Sequence, residues 1–185
     1  MQALSNIFTG FGLSASAGLN AYIPLLIVAL LGRFTHFIQL KPPYDALTNV
    51  WVIAILAVFV LVEAFLDKIP AVDTVYNVIQ SLVRPAAGAI LFAASSHVVS
   101  DIHPVLALVC GILIAGSVHV AKTTARPVIT MATAGAGNPV VSTAEDVVAA
   151  VTSLLSVLIP IAALVLIVIG VLLIIRALQR RRVQA

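Results

Sequence analysis

Two stretches of this chain carry no charge over lengths that match a lipid bilayer, and nothing else in it limits the fold as strongly. No Asp, Glu, Lys or Arg occurs from Met1 to Gly32, nor from Val147 to Ile175. The second stretch, some 29 residues, would reach roughly 43 Å as a helix, longer than a hydrocarbon core of about 30 Å. Hydrophobic residues make up 62% of the 185, with a mean hydropathy of +1.18; soluble domains hold about 45–50%. The excess is Ala, Val, Leu and Ile in runs, so lipid is the solvent and a soluble fold is excluded. The expected fold is all-α, a polytopic transmembrane helical bundle of about five spans. It forms one domain over residues 1–176, followed by a basic tail at 177–185.

Charged residues are only 9% of the chain, so their placement is informative. Arg176, Arg180, Arg181 and Arg182 close the sequence and mark a cytoplasmic C-terminus by the positive-inside rule. Without those four, six bases face seven acids, which gives nucleic acid binding no support. Cys110 is the single cysteine, so neither an internal disulfide nor a thiolate metal cluster can form. The N-terminus lacks a basic region ahead of its apolar run, and residues 1–31 are expected to be retained.

The first stretch has two textures. Thr9 to Asn20 is rich in Gly and Ser, whereas Ala21 to Leu31 is aliphatic. A tightly packed helix is the expectation, and a helix broken at Asn20 and Pro24 is the alternative. Lys41, Pro42, Pro43 and Asp45 place 36–48 in a loop, and Asn49 to Leu66 reads as the second span. That span ends in Glu63 and Asp67, four apart on one face, then Lys68 and Pro70. Asp73 offers an N-cap to an amphipathic segment in which Val75, Val78, Ile79 and Leu82 oppose Asn77, Gln80 and Ser81. Arg84-Pro85 and Arg126-Pro127 each precede a short run of small residues. These are read as re-entrant or broken half-helices that draw Arg84 and Arg126 below the headgroups.

Ser142 and Glu145 form a capping box, which starts the last helix near Thr143, with Pro160 kinking it on its way to Ile175. Five crossings then put the N-terminus outside and the Arg33–Lys41 loop inside. The same count leaves Lys68, Lys122 and Arg126 on the outer side, a tension that interior placement of the arginines relieves.

The sequence Glu63-x-x-x-Asp67-Lys68-x-Pro70-x-x-Asp73, followed by Arg84-Pro85-x-x-Gly88, resembles a family of small bacterial integral membrane proteins of unknown function. The small-residue start and the stretch Ala134 to Pro139 are similar too. The resemblance implies a bacterial inner-membrane protein and no particular chemistry.

An isolated charge at mid-membrane costs about 2.5–3.5 kcal/mol on insertion scales, so charges in such spans need partners or a function. The candidate site comprises Glu63, Asp67, Lys68, Asp73, Arg84 and Arg126, with Asn20 and Asn138 as polar companions. Its expected role is to pass a small solute, an ion or an anionic lipid through a buried polar centre. The alternative is a non-transporting structural or partner-binding membrane protein whose small-residue faces pack against other subunits or a second copy. His97, Asp101 and His103 have metal-ligand chemistry, but Pro104 breaks their helical register and no second cluster joins them, so no metal is expected. No catalytic triad, phosphate loop or haem pattern is present, which favours neither an enzyme nor a cofactor.

Overall fold

The computed structural model describes residues 2–66, 70–96 and 103–160, and beyond these 165, 167–170, 172 and 176; the side chains of 2–4, 70–77 and 96 are outside that description. Among the described residues all regular structure is helical. The helices are α1 (Gln2–Leu19), α2 (Tyr22–Phe34), α3 (Val50–Leu66), α4 (Pro70–Ser96), α5 (Pro104–Thr133) and α6 (Asn138–Leu158), with a short 3₁₀ turn at Tyr44–Thr48.

The bundle is apolar outside, as a lipid solvent favours, and buries apolar side chains such as Leu13, Val28 and Leu91 together with polar ones such as Glu63, Gln80 and Arg84. Helix α3 exposes Trp51, Leu61 and Phe65 and turns Glu63 inward. Helix α4 exposes Val78, Ile79 and Leu82 while Gln80 and Arg84, one turn apart, are fully buried. Of the polar face read from the sequence, Gln80 is buried, Ser81 is exposed and the Asn77 side chain lies outside the description. Stretches of α4 (Val78–Ser95), α5 and α6 are long and apolar enough to cross a membrane, and α2 and α3 are shorter apolar helices.

Helices α1, α4 and α5 form a tight central triad. A Cβ on Gly111 would run into the Gly88 carbonyl and the Ala89 backbone, and one on Gly18 would come 2.5 Å from the Ala115 carbonyl. Only glycine lets the backbones approach this closely. Hydroxyls fasten α6 to α1: Thr9 donates to the Ser156 carbonyl at 2.8 Å, and Ser16 shares a 2.7 Å hydrogen bond with Ser153.

The first stretch is broken, not continuous. Helix α1 stops at Leu19 and α2 restarts at Tyr22. The Asn20 side-chain oxygen accepts from the Tyr22 and Ile23 amides at 3.0 Å each, replacing bonds that a continuous helix would have made. The two helices splay into a V with Asn20 at the apex. Ser5, Asn6 and Thr9 near one open end and His36 to Leu40 near the other line a shared cavity of about 470 Å³, with Leu13 and Val28 deeper inside.

Four further boundaries differ from those read in the sequence. Pro85 and Pro127 lie inside continuous helices, so neither Arg-Pro step opens a half-helix. Their arginines are anchored by ion pairs that override the bias of proline against a helical predecessor. Helix α6 begins at Asn138, behind a left-handed Ala134 (φ 48) and Gly135 (φ 85), and not near Thr143. Ser142 and Glu145 thus sit within the helix instead of capping it. Finally, α6 does not run on through Pro160. Ile159 leaves the helical region (φ −142, ψ 75), as a residue before proline tends to. Ile167 and Gly170 line a groove with Val147, Val148 and Val151, so the chain has turned back along α6.

Candidate functional site

The interior of the bundle holds a chain of buried ions. Arg84, on α4, is fully buried and donates through Nη2 to Glu63 Oε1 of α3 at 2.9 Å. Its Nη1 lies 3.1 Å from His119 Nδ1 on α5. Arginine can only donate, so Nδ1 is the acceptor and the ring proton sits on Nε2. One turn further along α5, Lys122 Nζ lies 2.9 Å from Glu145 Oε2 of α6. Arg126 Nη2 reaches the same oxygen at 2.9 Å. His119, Lys122 and Arg126 thus share one buried face of α5, at helical spacing.

The apex of the V completes this arrangement. Lys122 also donates to the Leu19 carbonyl at 2.9 Å, so a cation sits at the negative end of the α1 dipole. Asn20 Nδ2 donates to Asp146 Oδ1 at 2.9 Å. One side chain therefore stabilises the start of α2 with its oxygen and ties the apex to α6 with its nitrogen. A broken helix whose exposed backbone groups meet ions inside protein is the arrangement that transport sites use.

Of the residues singled out in the sequence, Glu63 and Arg84 form a direct pair, Arg126 extends the cluster and Asn20 borders it. Asn138 stands apart. Its oxygen accepts from Thr130, which also donates to the Arg126 carbonyl, so it secures the α5–α6 turn. Asp67 and Lys68 lie outside the described residues, as do His97 and Asp101; Asp73 falls within α4, with its side chain outside the description. His103 caps α5, accepting from Val105 N at 3.3 Å. No group of three metal-ligating side chains occurs among the described residues. His119 and Lys122 are not among the candidates read from the sequence, whereas Glu145 and Asp146 stand there as neighbours of Arg126 that a first-turn helix position would also explain. The signal for the first two was their i, i+3, i+7 spacing with Arg126, which becomes visible only if the helix is carried through Pro127.

The basic and acidic members of the cluster are segregated by helix. All three described bases stand on α4 and α5, and the acids Glu63, Glu145 and Asp146 stand on α3 and α6. Helices α4 and α5 pack extensively on each other, whereas α3 meets α4, and α6 meets α5, only sparsely. Each ion pair therefore bridges a loosely packed interface.

An all-helical bundle with an apolar exterior and a buried cluster of ion pairs defines a membrane protein with an interior polar site. Within that class, the chain belongs to the family described as a domain of unknown function, DUF4126, whose model matches residues 7–180. No curated protein and no solved structure matches it.

Proposed function

We propose that this protein is a carrier of a small solute across the bacterial inner membrane, with the ion cluster as its binding site and no enzymatic activity. The observation that supports this reading is the stacking of two polar features along one broken helix. A cavity opens at the mouth of the V, and the buried ions lie at its apex. A scaffold needs neither an interior cation triad nor a half-open cavity above it, and burying such charges is costly unless they are used.

The proposed topology is a re-entrant V followed by five crossings: α3, α4, α5, α6 and the returning segment that contains Arg176. With the C-terminus cytoplasmic, the N-terminus, the cavity mouth and the 36–48 loop face outward. The cluster end, with Lys122 and Arg126, then faces inward, as the positive-inside rule favours, while the loop with Arg33 and Lys41 moves from the inner side read in the sequence to the outer one.

Proteoliposomes incubated with a water-soluble metabolite extract, washed and analysed by mass spectrometry, test the reading. The wild type should enrich at least one solute over protein-free vesicles, and Arg84→Ala should abolish that enrichment at equal folded yield. Enrichment of no solute, or enrichment indifferent to Arg84→Ala, favours the non-transporting scaffold instead.

A further inference from the structure

We infer, building on the carrier reading, that the solute is an uncharged polyhydroxyl compound, a polyol or a sugar, and that the cavity at the mouth of the V receives it ahead of the buried ions. The wall of that cavity carries the first argument. No Asp, Glu, Lys or Arg lines it among the described residues. A net charge that left water for such a wall would meet no counter-charge, and shedding hydration without one is costly. The polar side chains of the wall are hydroxyls, amides and one imidazole: Ser5, Asn6 and Thr9 of α1, His36 and Gln39 of the loop, and Ser95 of α4. The volume of about 470 Å³ falls within the size range of small-molecule sites.

Hydrogen-bond accounting carries the second argument. The Thr9 hydroxyl donates to the Ser156 carbonyl at 2.8 Å, and the Ser95 hydroxyl donates to the Leu91 carbonyl at 2.7 Å. Both oxygens are left as acceptors only, so a ligand must donate to them, which a carboxylate cannot do. The Ser5 hydroxyl and the Asn6 and Gln39 amides make no side-chain hydrogen bond among the described residues, so each can donate and accept. At the apex the requirement is reversed. Arg84 Nε is buried and meets no acceptor, and the ring proton of His119 on Nε2 meets none among the described residues either. A ligand there must accept, which an ammonium group cannot do. A hydroxyl does both, so one string of hydroxyls serves the mouth and the apex in turn. Its carbon skeleton suits Leu13, Val28 and Phe37, which line the same cavity.

The experiment uses the full chain in proteoliposomes and radiolabelled probes built on one carbon skeleton: mannitol and glucose, which are neutral, gluconate, an anion, and glucosamine, a cation. Vesicles preloaded with an unlabelled probe are tested for counterflow of its labelled form. Mannitol or glucose should enter at least about tenfold faster than gluconate and glucosamine, since only the charged probes lose hydration uncompensated at the mouth. Asn6→Leu, which removes an amide at similar volume, should raise the half-saturating concentration about fivefold, the worth of one hydrogen bond. Asn6→Asp, which places a carboxylate in the same wall, should admit glucosamine at a rate approaching that of the neutral probe, a change that a merely structural role of Asn6 would not produce. Gluconate or glucosamine entering the wild type as fast as the neutral probes overturns the uncharged class and leaves the carrier intact. Wild-type constants and selectivity in both Asn6 variants overturn the cavity as the receiving site. If no probe moves, the solute enriched from the metabolite extract decides: a neutral polyhydroxyl compound supports the class, and a charged solute or a neutral one without hydroxyls overturns it, with the carrier standing either way. If no solute moves in any assay, the carrier itself falls.

Discussion

At the scale of single residues, the Glu63–Arg84 pair is the most consequential contact, since both side chains are almost wholly buried. Removing one partner of such a pair leaves an uncompensated charge, whereas removing both leaves none. Glu63→Gln alone should therefore cost about 3–5 kcal/mol of stability, and adding Arg84→Gln should return a large part of it. A double-mutant cycle followed by denaturant titration in detergent micelles checks this; additive losses would mean that the two groups do not interact. Asn20 is consequential for a different reason. It serves two elements at once, and its shape allows this because a short amide offers an acceptor and a donor in fixed opposition. Asn20→Ala should lower stability by about 1–2 kcal/mol in the same titration, consistent with loss of a strong cap.

At the scale of elements, proline acted in opposite ways at three places, and that contrast shows what the sequence could and could not convey. Pro85 and Pro127 suggested helix breaks, yet both helices run through, because Arg84 and Arg126 are held by acids from neighbouring helices. Pro160 suggested only a kink, yet Ile167 and Gly170 lie back along α6. Local propensity was the same in all three cases, and tertiary contacts decided the outcome. The lipid-facing stripe of α4 and the inward Glu63 were legible, because periodicity fixes which face a residue occupies. The break at Asn20 was legible only as an alternative, and the role of Lys122 not at all, since its acceptor is a carbonyl exposed by that break. The α5–α6 turn supplies a test at this scale. Ala134 occupies the left-handed region (φ 48), which costs a non-glycine residue about 1–2 kcal/mol. Ala134→Gly should relieve most of that and raise the melting temperature in micelles; an unchanged or lower value would show that the turn is held by its neighbours and not limited by its own backbone.

At the scale of the whole molecule, the V and the reversal at Ile159 place the 36–48 loop and Arg176 at opposite ends of the bundle. In a background with Cys110→Ser, cysteines at Gln39 and at Arg176 should react with an impermeant maleimide from opposite sides of intact and inverted membranes. Labelling of both from one side would return the last segment to a single uninterrupted crossing.

Helix α1 packs against α4, α5 and α6, which are encoded far downstream of it. Helix α1 is thus made before the helices that give it a berth, and it must wait at the membrane until they have gathered around it.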